Sequence, residues 1–151
     1  MQLFRISSAK FADDLSGTGA KLYGGRWNAK GVPVVYLASS RSLAMLELLV
    51  HLRPENLVVP YVISTIELPE DKIFTVQADL LPKDWNKDGS LLTLHQLTND
   101  FIEESKFLMM RVPSAIVEEE YNFVLNPAHA DFAKVSLLAK RSFTFDQRFK
   151  K

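Results

Sequence analysis

Two places in this chain combine reactive residue types with surroundings that do not account for them. Glu47 lies inside the apolar run Leu43-Ala44-Met45-Leu46-Glu47-Leu48-Leu49-Val50. Its helical neighbours at three and four positions are Leu43, Ala44, Val50 and His51. The carboxylate therefore occupies either a thin exposed stripe with Ser40 and His51 or a cleft, and carboxylates in apolar surroundings are common among catalytic acids. The second place is Gly17-Thr18-Gly19-Ala20-Lys21-Leu22-Tyr23-Gly24-Gly25-Arg26-Trp27-Asn28, which holds four of the six glycines. Its spacing is not G-x-G-x-x-G and no G-K-S/T follows, so the dinucleotide and Walker readings both fail. What remains is an irregular segment that allows close backbone approach and ends in an arginine. A rigid guanidinium fork beside glycines suits phosphate; a flexible surface loop with a solvated Arg26 is the plainer reading.

Tyr36 lies eleven residues before Glu47 and is expected on the same side of the molecule, as a core aromatic or as a face of the site. Ser114 follows Val112-Pro113, where the proline restricts the chain at a strand entry. No Ser-His-Asp arrangement can be drawn, because His51, His95 and His129 are dispersed. The same dispersion, without H-x-x-x-H spacing, argues against a metal site.

The elements that must position these residues are partly visible. Val32 to Ala38 reads as a strand, and Ser39-Ser40 as the N-cap of a helix from Arg41 to about Leu52, stopped before Pro54. Val58 to Leu68 reads as a long strand and Pro82 to Gly89 as loop. Ser90 is placed to cap a second helix, Leu91 to about Ser105, with His95 within it. Short strands are expected over Phe107–Arg111, Ala115–Val117, Phe123–Leu125 and Ser142–Phe145. Strands outnumber helices without alternating with them, which favours an α+β domain.

The composition sets the outer bounds. The chain has 151 residues, 18 basic and 18 acidic side chains and no cysteine. That length fits one domain with a substantial core. Zero cysteine excludes disulfides, Cys-ligated metals and thiol catalysis, and fits a reducing compartment. Zero net charge disfavours a dedicated nucleic-acid binder, whose affinity comes largely from phosphate neutralisation. Charge is nevertheless uneven. After Asp131, Lys134, Lys140, Arg141, Arg148, Lys150 and Lys151 face only Asp146, whereas Glu103, Glu104, Glu118, Glu119 and Glu120 gather upstream. No signal peptide or membrane-spanning run is evident, so a cytoplasmic location is expected.

Taken together, several segments carry a resemblance. Tyr23-Gly24-Gly25-Arg26-Trp27-Asn28-Ala29-Lys30-Gly31, Pro33-Val34-Val35-Tyr36, Leu43-Ala44-Met45-Leu46-Glu47 with His51, Val112-Pro113-Ser114-Ala115 and Leu125-Asn126-Pro127-Ala128-His129 follow one another in the order of the RES-domain family. These are the toxin components of RES–Xre type II toxin–antitoxin pairs. The family name records an Arg, a Glu and a Ser, which fall on Arg26, Glu47 and Ser114. The resemblance covers the chain nearly end to end, as a single RES domain over residues 1–151.

The resemblance implies a fold similar to ADP-ribosyltransferases, with two packed, mostly antiparallel sheets, flanking helices and an NAD cleft. It implies NAD as substrate and no metal. Glu47, Arg26, Ser114 and Tyr36 would be catalytic; Arg26, Trp27, Tyr36, Ser114 and Asn126 would contact NAD. The reaction would be hydrolysis or phosphorolysis of the nicotinamide–ribose bond, with protein ADP-ribosylation as the alternative. A non-catalytic nucleotide- or partner-binding module is a third reading. The implied partner is an Xre-like helix-turn-helix antitoxin that covers the active site and builds any homo-oligomer, with no direct contact to nucleic acid or membrane. The basic C-terminal segment is then better tested as a contact to the antitoxin than as a DNA footprint.

Overall fold

The computed structural model describes residues 1–150; Lys151 of the basic segment lies outside the described residues. Its strands are β1 (Gln2–Ser8), β2 (Val35–Ala38), β3 (Tyr61–Glu67), β4 (Ile73–Thr75), β5 (Met109–Pro113), β6 (Tyr121–Leu125) and β7 (Ser136–Phe143). They form one sheet in the order β4-β5-β6-β2-β1-β3-β7. The pairings are antiparallel apart from β4 with β5. Three α-helices accompany them: α1 (Thr18–Tyr23), α2 (Arg41–Leu49) and α3 (Leu91–Glu104).

The expectation of two packed sheets is corrected: there is a single mixed sheet. The reason lies at one junction. Strand β1 pairs along its whole length with β3 but meets β2 only at Phe4↔Ala38. That bridge joins a block β4-β5-β6-β2 to a block β1-β3-β7 in one sheet.

Side chains alternate across the strands and build a core on each face. Leu3, Val35, Leu37, Ile66, Met109, Phe123 and Leu125 fill one face. On the other face, Met110, Val112 and Val124 pack under α3 with Trp27, Trp85, Leu94 and Phe101. Farther along that face, Ile6, Ala38 and Ile63 pack against Leu43 and Ala44 of α2. The candidate site lies on this second face.

Local chemistry explains where elements start and stop. Ser40 Oγ accepts the Leu43 amide at 3.1 Å and caps α2 as expected. The helix ends at Leu49, three residues before the expected stop. Strand β3 starts at Tyr61 because Pro54–Val58 winds into a 3-10 turn and Pro60 cannot donate to the ladder. Ser90 precedes α3, but its hydroxyl donates to Asp84 Oδ1 at 2.5 Å and does not cap the helix. The expected strand over Ala115–Val117 is a turn, because Ser114 Oγ captures the amides of Ile116 and Val117, each at 3.1 Å.

The glycine-rich segment is not an open loop. Residues 18–23 form α1 between two glycines with left-handed φ, Gly17 at 77° and Gly24 at 69°. At Gly17 a Cβ would lie 2.8 Å from the Val34 amide nitrogen, so this position requires glycine on both counts.

Candidate functional site

Glu47 is brought to the sheet by α2, which packs on β1 and β2. Ala38 and Asn122 are directly opposite in the β2–β6 ladder, and Ala38 contributes only a methyl group there. The Glu47 carboxylate reaches this position. Its Oε1 accepts the Ser114 hydroxyl at 2.7 Å and the Asn122 side-chain amide at 2.5 Å. Of the apolar neighbours seen in the sequence, Leu43 and Ala44 belong to the buried side of α2 while Val50 is exposed; the carboxylate itself meets polar donors.

Ser114 is fully buried just beyond β5. Its hydroxyl donates to Glu47 and accepts two backbone amides, which uses its one proton and both lone pairs. Its own amide donates to the Glu120 carbonyl at 2.9 Å. This serine is fixed by its neighbours on every side.

Tyr36 pairs with Val124, two residues along the ladder from the Ala38–Asn122 pair. Tyr36 and Asn122 therefore share a face as diagonal neighbours, about 7–8 Å apart. The Tyr36 ring is part-exposed, while its hydroxyl is turned inward, donating to Asn28 Oδ1 at 2.6 Å and accepting the Trp27 amide at 3.2 Å. Burial pushes the Tyr36 phenol well above its usual range; the backbone amides of Trp27 and Asn28 and the nearby Arg26 charge offset part of the rise.

Asn28 organises the glycine-rich turn. Fully buried, its amide donates to the carbonyls of Ala20, Ala29 and Val32 at 2.8, 3.2 and 3.0 Å. His95 Nε2, from α3, lies 2.8 Å from the Gly25 carbonyl. Arg26 is thus mounted on a braced turn. Its Nη1 donates to the carbonyls of Trp85 and Lys87 at 3.1 and 3.2 Å, and its Nη2 lies 4.0 Å from exposed Asp88.

The structure thus joins Glu47 to Ser114 directly and sets Tyr36 on the same sheet face, with Arg26 beside Tyr36. It does not bring Trp27 or Asn126 to the carboxylate. Trp27 is core, packed against Trp85 with ring centroids 6.1 Å apart. Asn126 is buried beyond the opposite end of β6 from Asn122, where its Oδ1 accepts the Ala128 amide. Sequence reasoning missed Asn122, although asparagine is depleted in strands and its presence in one is a usable signal. It also left Asn28 without a role.

Surface hollows border α3, one of about 200 Å³ lined by Phe74, Leu97, Phe101 and Phe107 with Asp100 and Glu104. Glu47 is not part of it, and the site is located by its chemistry. Among the described residues no group of three or more His, Asp or Glu is placed to hold a metal ion, and no helix is long and apolar enough to cross a membrane.

A family model for the RES domain matches residues 2–146. The chain belongs to the RES-domain family. Among its relatives is "Toxin Res" of Photorhabdus laumondii, 41% identical over 153 residues that cover 100% of this chain and 98% of the relative. The "Prs ADP-ribosylating toxin" of Sphingobium sp. strain YBL2 is 37% identical over 91% of this chain and 87% of its own length. This RES domain also shares its fold with a chain in the crystal structure of the Mycobacterium tuberculosis MbcT–MbcA toxin–antitoxin complex. The TM-score is 0.80 at 20% identity, covering 95% of this chain and 84% of the other.

Proposed function

We propose that this RES domain is the toxin of a toxin–antitoxin pair and that it consumes NAD by breaking the nicotinamide–ribose bond. The observation that carries the reading is the Glu47 carboxylate, held on one oxygen by Ser114 and Asn122 on the sheet face it shares with Tyr36. As the bond breaks, its electron pair leaves with nicotinamide, which departs neutral and needs no proton. Positive charge develops on the ribose, as in glycoside cleavage. A fixed carboxylate stabilises that charge more in the transition state than in the ground state.

The residues divide the work. Glu47 stabilises the oxocarbenium-like ribose, Arg26 anchors the NAD phosphates, and the part-exposed Tyr36 ring lies against nicotinamide. Ser114 serves through Glu47; Trp27 supports the Arg26 turn from behind, and Asn126 holds the far end of β6. The fold is read as ADP-ribosyltransferase-like, with the junction between the two strand blocks as the floor of the NAD cleft. Water as acceptor gives ADP-ribose and a proton; phosphate gives ADP-ribose-1″-phosphate.

Transfer of ADP-ribose to a protein is the second reading, favoured by the printed name of the Sphingobium relative. The partner is a cognate antitoxin of the Xre helix-turn-helix type covering the Glu47 face; an antitoxin partner is supported by the toxin–antitoxin complex whose fold this chain shares.

Purified protein incubated with NAD tests the reading. Nicotinamide release, lost in Glu47→Ala and reduced in Arg26→Ala, is the expected result. Chromatography separates ADP-ribose from its 1″-phosphate, and labelled NAD reveals transfer to protein. NAD left intact with water, phosphate and candidate protein acceptors overturns the enzyme reading.

A further inference from the structure

The two oxygens of the Glu47 carboxylate are unequally held. Both the Ser114 hydroxyl and the Asn122 amide reach the same oxygen, Oε1, and among the described residues no side-chain hydrogen bond reaches Oε2. Asn122 comes from β6 and Ser114 from the end of β5, so the clamp is carried by adjacent strands of one block. Glu47 comes from the helix that packs on β1 and β2. We infer that Asn122 is a positioning residue that, with Ser114, fixes Oε1 and presents Oε2 as the working oxygen. The inference rests on the NAD-cleaving reading above.

Three features support it. A carboxylate has two oxygens and free rotation about its terminal bond, so one donor leaves it mobile while two donors to one oxygen define its plane. Charge-assisted donors of this kind are the stronger hydrogen bonds. The orientation of the Asn122 amide is also settled: with Oδ1 towards Glu47 it would set two acceptors against each other, so the nitrogen faces the carboxylate. The ladder then fixes where the asparagine stands, with Ala38 on one side and Val112 on the other. Both neighbours are buried and apolar and offer Glu47 no competing donor.

Serine as a direct ligand to NAD is correspondingly disfavoured. Its proton is already given to Oε1, and both lone pairs are taken by the Ile116 and Val117 amides. The oxygen left for the reacting ribose is the one that neither Ser114 nor Asn122 touches.

The test is steady-state nicotinamide release by Asn122→Leu, which keeps the side chain's shape and removes its donor. The expected result is a kcat lowered about 10–100-fold with KM within about threefold. In a Glu47→Gln background, where the carboxylate is gone, Asn122→Leu should change the residual rate by less than twofold. Thermal unfolding of each variant separates this from a loss of fold, and Asn122→Asp, which sets a second carboxylate against Glu47, should lose at least as much kcat. A kcat kept within twofold in Asn122→Leu overturns the inference, as does an equal loss in both backgrounds. Wild-type protein that releases no nicotinamide overturns the parent reading and this role with it. An active wild type whose Glu47 is essential and whose Asn122 is indifferent overturns this role alone.

Discussion

Gly25 sits under the hydroxyl of Tyr36: a Cβ built on it would lie 2.7 Å from Oη and 3.0 Å from Asn28 Oδ1. The requirement there is for space, since the atoms it would strike form the hydrogen bond that holds the Arg26 turn to β2.

Gly25→Ala should therefore separate Tyr36 from Asn28. Overpacking of a tight site costs about 1–3 kcal/mol, measurable as a lowered urea midpoint at unchanged m-value. A midpoint within error of wild type would show that the turn gives way freely.

Ser114→Ala removes a donor from Glu47 and strands the Ile116 and Val117 amides. These three hydrogen bonds are part-buried, so each contributes about 0.5–1.5 kcal/mol, and the loss should be roughly 1.5–4.5 kcal/mol, read by equilibrium unfolding. Stability close to wild type combined with lost activity would instead make Ser114 a direct contact to the substrate.

Arg26→Lys keeps the charge but cannot donate to the Trp85 and Lys87 carbonyls from one planar fork. Loss of the bidentate fork on a phosphate forfeits a charge-assisted hydrogen bond of about 1.5–3 kcal/mol, so KM for NAD should rise about tenfold or more in the nicotinamide assay. Faster amide exchange across residues 82–89 should accompany it. Lysine that restores wild-type KM would leave Arg26 as a simple point charge.

Tyr36 predicts the alkaline limit of stability. Its phenol is raised above the ordinary value of 10.0 by burial, so the folded state holds a proton that the unfolded chain gives up first. The stabilisation is complete below pH 10.0 and falls as pH climbs from there towards the folded value. Urea midpoints taken upwards from pH 9 should drop, and Tyr36→Phe should flatten that drop. An unchanged slope in the variant would assign the effect elsewhere.

What was legible in the sequence follows from where local signals are strong. Ser40 ahead of an apolar helix, and the periodic Leu91–Glu104 segment, reported themselves through capping chemistry and a 3.6-residue repeat. Strand β1 escaped because Arg5, Ser7 and Ser8 dilute its apolar alternation. Most of β7 escaped because it is exposed and carries Lys140 and Arg141, which read as a basic tail. Three of those tail charges are paired, Lys134 with Asp131 and Arg148 with Asp146 locally, and Lys140 with Asp13 from the other end of the chain. Glu47 and Ser114 stood out by type, but their contact spans 67 positions, which no local pattern encodes. Asn122 was silent for the same reason.

The order in which the chain is made gives the Asn122–Glu47 contact a further meaning. The chain is made from its N-terminus and a domain folds as a unit, so Glu47 of α2 is synthesised long before β6. Strand β6 is late, yet it must enter the sheet between β5 and β2, both of them made before it. Until it does, Glu47 lacks its partner Asn122. The geometry of the Glu47 carboxylate is thus completed by a residue made 75 positions after it, and a chain that stops short of β6 carries the carboxylate without its clamp.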